Sequence, residues 1–138
     1  MDSMDVADHA VLARGLELFN NGEYFACHEV WEELWKHASG EERRALQGLI
    51  QAAVAILHAE RGNYRGAQSV FRKAVRNLAG VPNDCLGLRI GDFRSALDAF
   101  FAHLADDFGA GDTDSSGPNI RERRFPDSLQ LHWRNSQL

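Results

Sequence analysis

Two stretches of this 138-residue sequence carry polar side chains whose types and spacing suit chemistry. His28 and Glu32 are four positions apart, which places them one turn apart on a helix. Further along, Gln47, Gln51 and His58 interrupt an otherwise apolar stretch. At helical spacing these three fall within about 40° of one another. An imidazole and a carboxylate one turn apart can bind one divalent metal ion or exchange a proton, so we treat the five residues as a candidate site.

We predict that the five side chains meet in a polar seam between two neighbouring helices, with His28 and His58 buried in it. As a metal site, the seam would use His28, Glu32 and His58 as ligands; as a site for a small polar ligand, it would add Gln47 and Gln51. Unpaired polar groups cost several kcal/mol to bury, so a structural network that fixes the register of the two helices is the competing interpretation. No HExxH, P-loop, GxGxxG or GxSxG pattern is present, so the sequence does not indicate whether the site is catalytic.

The second group of polar residues must be positioned by the stretch from Ala45 to Ala59. This stretch is rich in strong helix formers and apolar nearly all round, which is typical of a central helix wrapped by others. The first group belongs to a helix from about Glu23 to Ala38. Its broad apolar face leaves His28 and Glu32 at the edge.

The remaining pattern predicts an all-α fold of about five helices in stacked antiparallel hairpins, bundle-like and loosely similar to tetratricopeptide repeats. Short connections marked by glycine separate the first four helices. The predicted helices cover Asp5 to Asn20, Glu23 to Ala38, a third that ends at Gly62, a fourth from Asn63, and a fifth from Asp92 to Phe108.

An internal similarity separates packing residues from candidate site residues. Residues 22–24 (Gly-Glu-Tyr) align with residues 62–64 (Gly-Asn-Tyr) at an offset of 40, and small or apolar residues continue to match at that offset. The second copy has neither the His nor the Glu that correspond to His28 and Glu32. We infer that the hairpin itself does not require these two residues.

We expect residues 1–109 to form one helical domain and residues 110–138 to form a flexible linker and an extended tail docked on the helices. Gly and Ser dominate the linker, and the tail has no helical period. A free tail seldom carries large apolar side chains, so we expect docking through one or more of Ile120, Phe125, Leu131 and Trp133.

Composition limits the partners. The formal net charge of −5 argues against nucleic acid, and no apolar run is long enough to span a membrane. The first residues lack an apolar signal segment, and the two cysteines have no CxxC spacing, so we expect a reduced, cytoplasmic protein. Composition does not indicate an oligomeric state.

The combined pattern FNxGEYFxxHExWE at residues 19–32, Trp35, and QGLIQxAVAxxH at residues 47–58, followed by GNxxGA, resembles the bacterial and archaeal family called domain of unknown function 309. The resemblance covers roughly residues 16–78. It implies a small all-α helical-hairpin fold and no established activity. The function therefore rests on the residues themselves: a polar seam that binds a metal or a small polar ligand or, alternatively, a helical-hairpin protein-interaction module without catalytic activity.

Overall fold

The computed structural model describes residues 4–108 and 129–134, and five α-helices make up most of this part of the chain. A short 3-10 turn at Cys85–Gly87 connects the fourth helix to the fifth. The described residues contain no strand beyond an isolated antiparallel bridge between Leu88 and Trp133. The predicted all-α class is therefore confirmed. The helices are α1 (Val6–Asn20), α2 (Tyr24–Trp35), α3 (Gly40–Glu60), α4 (Tyr64–Ala79) and α5 (Ile90–Phe108).

Each helix packs against the next along the chain, so α3 lies between α2 and α4. Ten residues of α3 are buried, nine of them from Leu46 to Ala59, and none of the ten carries a polar side chain. The prediction of a central helix is confirmed. The fifth helix begins at Ile90, two residues before the predicted cap Asp92, because the backbone N–H of Phe93 already bonds the carbonyl of Arg89.

The α1–α2 interface is built around a large aromatic side chain that enters a gap left by glycine. Trp31 is fully buried, and its indole N–H donates to the carbonyl oxygen of Leu12 at 3.2 Å. A Cβ at Gly15 would collide with the Trp31 ring, so α1 approaches α2 closely at this point. Phe19 stacks on the same ring with centroids 6.0 Å apart.

The two interhelical turns repeat one another in detail. Gly22 has a φ of +80° and Gly62 a φ of +81°, a left-handed conformation that glycine adopts without strain. The backbone N–H of Glu23 bonds the carbonyl of Leu18 at 2.9 Å, and the N–H of Asn63 bonds that of His58 at 2.9 Å. The structure thus preserves the offset of 40 in its hydrogen bonds as well as in its sequence.

Residues 129–134 lie against the helices. Leu129 and Leu131 are buried, and the Asn20 side chain bonds both the N–H and the carbonyl of Leu131 at 2.9 Å. Trp133 stacks on His9 with ring centroids 5.1 Å apart. Two of the predicted tail contacts are thus present in this segment, whereas the other two residues, Ile120 and Phe125, lie outside the described residues. The division at residues 109 and 110 stays a prediction.

Candidate functional site

His28 and Glu32 form a pair on the outer edge of α2. The His28 Nε2 lies 3.3 Å from a Glu32 carboxylate oxygen, and Nδ1 lies 3.3 Å from the carbonyl oxygen of Phe25. The side chain of His28 is 23% exposed and that of Glu32 is 50% exposed. The expectation that His28 is buried is therefore wrong: the pair faces solvent.

The sequence of α2 explains this position. The buried face of α2 consists of residues at helical spacing: Tyr24, Cys27, Trp31 and Leu34. His28 directly follows the buried Cys27. One position corresponds to a rotation of about 100°, which moves a side chain out of the core.

Phe25 is exposed beside this pair. It is 52% exposed, and its ring centroid lies 5.6 Å from that of His28. Within the described part of the chain, it and Val6 are the large hydrophobic side chains that remain in water. An aromatic ring, an imidazole and a carboxylate therefore stand together on one exposed surface.

The three polar residues of α3 do not join the pair on α2. The Gln51 amide oxygen accepts a hydrogen bond from the Asn77 side chain at 2.7 Å, so Gln51 faces α4. The His58 Nδ1 lies 3.3 Å from the side-chain nitrogen of Asn63, the residue before α4. Gln47 is exposed. His58 is half-buried, so the expectation that it is buried with His28 is also wrong.

The five residues are thus not brought together between α2 and α3, because Gln51 faces α4 and His58 lies at the α3–α4 turn. In the described ranges, no three His, Cys, Asp or Glu side chains lie close enough to share a metal ion. The proposed ligand set of His28, Glu32 and His58 is therefore not brought together in this structure.

His58 has a structural explanation that sequence reasoning missed. The Asn63 side chain accepts a hydrogen bond from the backbone N–H of Gly66 at 3.0 Å and so caps the start of α4. His58 contacts the other end of the same amide. The imidazole orients the capping residue, and the Asn-after-Gly pattern in the turn was the available signal.

Neither cysteine is a nucleophile at neutral pH. Burial raises the pKa of the fully buried Cys27 thiol well above its ordinary value of 9.0. Burial also raises the pKa of Cys85 to about 11, and the negative charges of Glu41 and Glu42 act in the same direction. Both thiols are therefore protonated, and thiolate chemistry is not available.

Trp35 lies one turn beyond Glu32 and is covered by a cation. The Arg43 guanidinium carbon lies 4.0 Å from the ring centroid of Trp35. The indole nitrogen is buried and has no hydrogen-bond partner in the described structure. This contact joins the end of α2 to the start of α3.

The fold is that of a small all-α protein with five helices in successive antiparallel hairpins. Its candidate site is the exposed His28–Glu32 pair. Residues 12–70 match the model of the family described as "Domain of unknown function (DUF309)". The match includes α2, α3 and both repeated turns.

Two relatives are uncharacterised proteins. A protein of Aquifex aeolicus (strain VF5) is 31% identical over 81 residues, which cover 58% of this chain and 24% of the relative. YpuF of Bacillus subtilis (strain 168) is 39% identical over 64 residues, which cover 46% of this chain and 37% of that protein. The matches therefore span well under two thirds of either relative. Among the described helices, none has the length and apolar character to cross a membrane.

Proposed function

We propose that the chain is a helical-hairpin interaction module whose α2 surface, formed by Phe25, His28, Glu29 and Glu32, binds a basic segment of a partner protein that also carries apolar side chains. The observation that supports this proposal is the exposure of Phe25, which is 52% exposed beside His28, 23% exposed, and Glu32, 50% exposed. Aromatic side chains are enriched at the centres of protein interfaces.

The fold does not account for these side chains. The core contacts of α2 are made by its buried face, which does not include any residue of the α2 surface. At the offset of 40, the second hairpin keeps the turn and the packing residues but has no His or Glu at the corresponding positions. Exposed side chains that the fold does not need are candidates for binding.

The charge of α2 indicates the chemistry of the partner. Four glutamates in and just before α2 are exposed: Glu23, Glu29, Glu32 and Glu33. Lys36 follows the helix and pairs with Glu33, with 3.1 Å between its Nζ and a carboxylate oxygen. This excess of carboxylates favours a basic partner and speeds its association. The exposed ring can pack against the aliphatic stem of an Arg or Lys and attract its cationic group.

A divalent metal is the weaker candidate for the same surface. His28 and Glu32 offer two ligands at the right spacing, whereas a protein zinc site normally uses three or four. The enclosed site for a small polar ligand would need the amides of α3, which point elsewhere. Metal binding is therefore tested as an alternative outcome.

The proposal is tested by NMR titration of the ¹⁵N-labelled chain with a synthetic peptide of alternating Arg and Leu and with its Glu/Leu counterpart. We expect amide shifts on the α2 surface with the Arg/Leu peptide, and a loss of affinity of about tenfold or more in Phe25→Ala and in Glu32→Gln. Glu17→Gln, which removes an exposed carboxylate from α1, is the matched control and should leave binding unchanged.

Equal shifts with both peptides, or unchanged affinity in Phe25→Ala, would contradict the proposal. A separate titration with Zn²⁺ distinguishes the alternative. Saturable zinc binding that disappears in His28→Asn, without a response to the Arg/Leu peptide, would replace the interaction surface with a metal site.

A further inference from the structure

A pocket of about 390 Å³ lies where the segment before α5, the first turns of α5 and residue 134 meet. It is outside residues 12–70 and shares no residue with the α2 surface. Three arginines and two aspartates line it: Arg89, Arg94, Arg134, Asp84 and Asp92. The chain as a whole carries a net charge of −5, so an excess of cations in one pocket stands out from the rest of the molecule.

Backbone hydrogen bonds join the two chain segments that carry Arg89 and Arg134. The N–H of Arg89 donates to the carbonyl of His132 at 2.8 Å, and the N–H of Arg134 donates to the carbonyl of Gly87 at 2.7 Å. Together with the Leu88–Trp133 bridge, these bonds form a short antiparallel pair. The pocket wall is therefore fixed by main-chain contacts, independently of the side-chain ion pairs.

The carboxylates neutralise the arginines incompletely. The Arg134 Nη1 lies 3.2 Å from an Asp84 oxygen, and the Arg89 Nη1 lies 4.0 Å from an Asp92 oxygen. The side chains of the two pairs are 38–81% exposed, so each ion pair contributes little to stability. Arg94 has no ion-pair partner within the described part of the chain. A bound anion can therefore approach Arg94 without competing with an ion pair of the described residues, and the exposed Arg134 can turn toward the same anion.

We propose that this pocket binds a small phosphate-bearing molecule. The planar guanidinium presents N–H donors in a fork that matches two oxygens of a phosphate, and charge-assisted bonds of this kind are the strong ones. The side chains of Ser95 and Asn83 add neutral donors at the rim. The volume exceeds what a bare phosphate fills and suits a phosphomonoester with a small organic group.

The test is an NMR titration of the full chain with inorganic phosphate and with phenyl phosphate, each at constant ionic strength held with chloride. We expect saturable shifts in residues 83–95 and at Arg134, and tighter binding of phenyl phosphate. Arg94→Gln should weaken binding about tenfold or more, because it removes a charge-assisted contact without disturbing an ion pair. Arg72→Gln, at an exposed arginine of α4, is the matched control.

No saturable response up to about 10 mM would overturn the proposal, since that concentration corresponds to a negligible affinity. Equal weakening by Arg94→Gln and Arg72→Gln would also overturn it, because the effect would then be nonspecific. Retention on vesicles that contain phosphatidic acid, without a response to phenyl phosphate, would assign the arginines to a lipid surface instead. None of these results bears on the α2 surface, so the two proposals succeed or fail separately.

Discussion

The α1–α2 turn and the α3–α4 turn have the same backbone conformation but are stabilised in different ways. Glu23, before α2, has φ −93° and ψ 69°, and Asn63, before α4, has φ −89° and ψ 76°. Asn63 caps its helix and contacts His58, whereas Glu23 makes no side-chain cap. The first hairpin instead buries Trp31 against α1. One turn is completed by local hydrogen bonds and the other by an aromatic core.

This difference separates structure from function among the polar residues. His58 has a role in the turn, where its counterpart in the first hairpin is the apolar Leu18. His28 and Glu32 contact each other and solvent, and the second hairpin lacks both. The comparison therefore assigns His58 to the fold and leaves the pair on α2 as the candidate for the proposed binding surface.

The largest expected effect tests whether the first hairpin depends on its aromatic core. We expect Trp31→Ala to lower the free energy of unfolding by about 3–5 kcal/mol, as for other buried aromatic residues. Phe71, its counterpart at the offset of 40, is half-buried and stacks on Phe101 at 4.3 Å, so Phe71→Ala should cost less, about 2 kcal/mol. Urea denaturation measures both. Equal losses would remove the contrast between the hairpins.

Alkaline pH should weaken the first hairpin through Cys27, whose counterpart in the second is Ala67. Burial holds the pKa of the Cys27 thiol above its unfolded value of 9.0, so its contribution is complete below about pH 9 and decreases as pH rises toward the folded pKa. The loss by pH 10 is at most about 1.4 kcal/mol for this group. Urea denaturation from pH 7 to 10 should show it.

Cys27→Ala should reduce this dependence, and the part that remains comes from Cys85. Cys85→Ser is the control, because the pKa of that half-buried thiol is also raised, to about 11. If the alkaline loss persists in Cys27→Ala and disappears in Cys85→Ser, the weakening does not originate in the first hairpin.

The cap should matter in one turn and not in the other. We expect Asn63→Ala to cost about 1 kcal/mol, as loss of a side-chain cap does, and Glu23→Ala to change stability by less than about 0.5 kcal/mol. Thermal unfolding of the two variants makes the comparison.

A double-mutant cycle tests the difference between the two turns more directly. A Cβ at Gly66 would collide with the Asn63 side chain, and the counterpart of Gly66 in the first turn is Ala26. Glu23→Asn should therefore stabilise more in an Ala26→Gly background than in the natural chain. Additive effects would mean that the two turns do not differ in this way.

The smallest effect is expected at the pair on α2. His28→Asn and Glu32→Gln should each change the free energy of unfolding by less than about 0.5 kcal/mol, because exposed ion pairs contribute little. A buried charged pair would cost about 3–5 kcal/mol when broken. Lys36→Gln, which breaks the exposed Glu33–Lys36 pair, is the matched control in chemical denaturation. A loss at His28 far above the control would assign the pair to the fold.

The sequence was sufficient for the helices and for the central place of α3, because composition, helical period and glycine turns act locally. The predicted polar stripe of α3 has Gln51 and His58 on the side of α4 and its preceding turn. Its direction was not predictable, since the helical period gives angles between side chains and not the rotation of the helix against its neighbours. As α3 contacts both α2 and α4, Gln51 could face either, and it faces Asn77.

No local sequence pattern indicates the arginine pocket. It joins residues 83–95 to Arg134, and the bridge between Leu88 and Trp133 that unites them follows from tertiary packing. The caps were accessible in principle, since Asn before a helix is a known start signal, yet the contact between His58 and Asn63 needed the turn geometry.

The bonds between Asn20 and Leu131 connect residues 111 positions apart. Loop closure over such a distance costs more chain entropy than closing either three-residue turn, and non-local contacts slow the search for the native state. We expect the hairpins to form first and this contact to form late. Residues 129–134 would then exchange amide hydrogens faster than the helices, and their docking would complete both the fold and the arginine pocket in the same kinetic step.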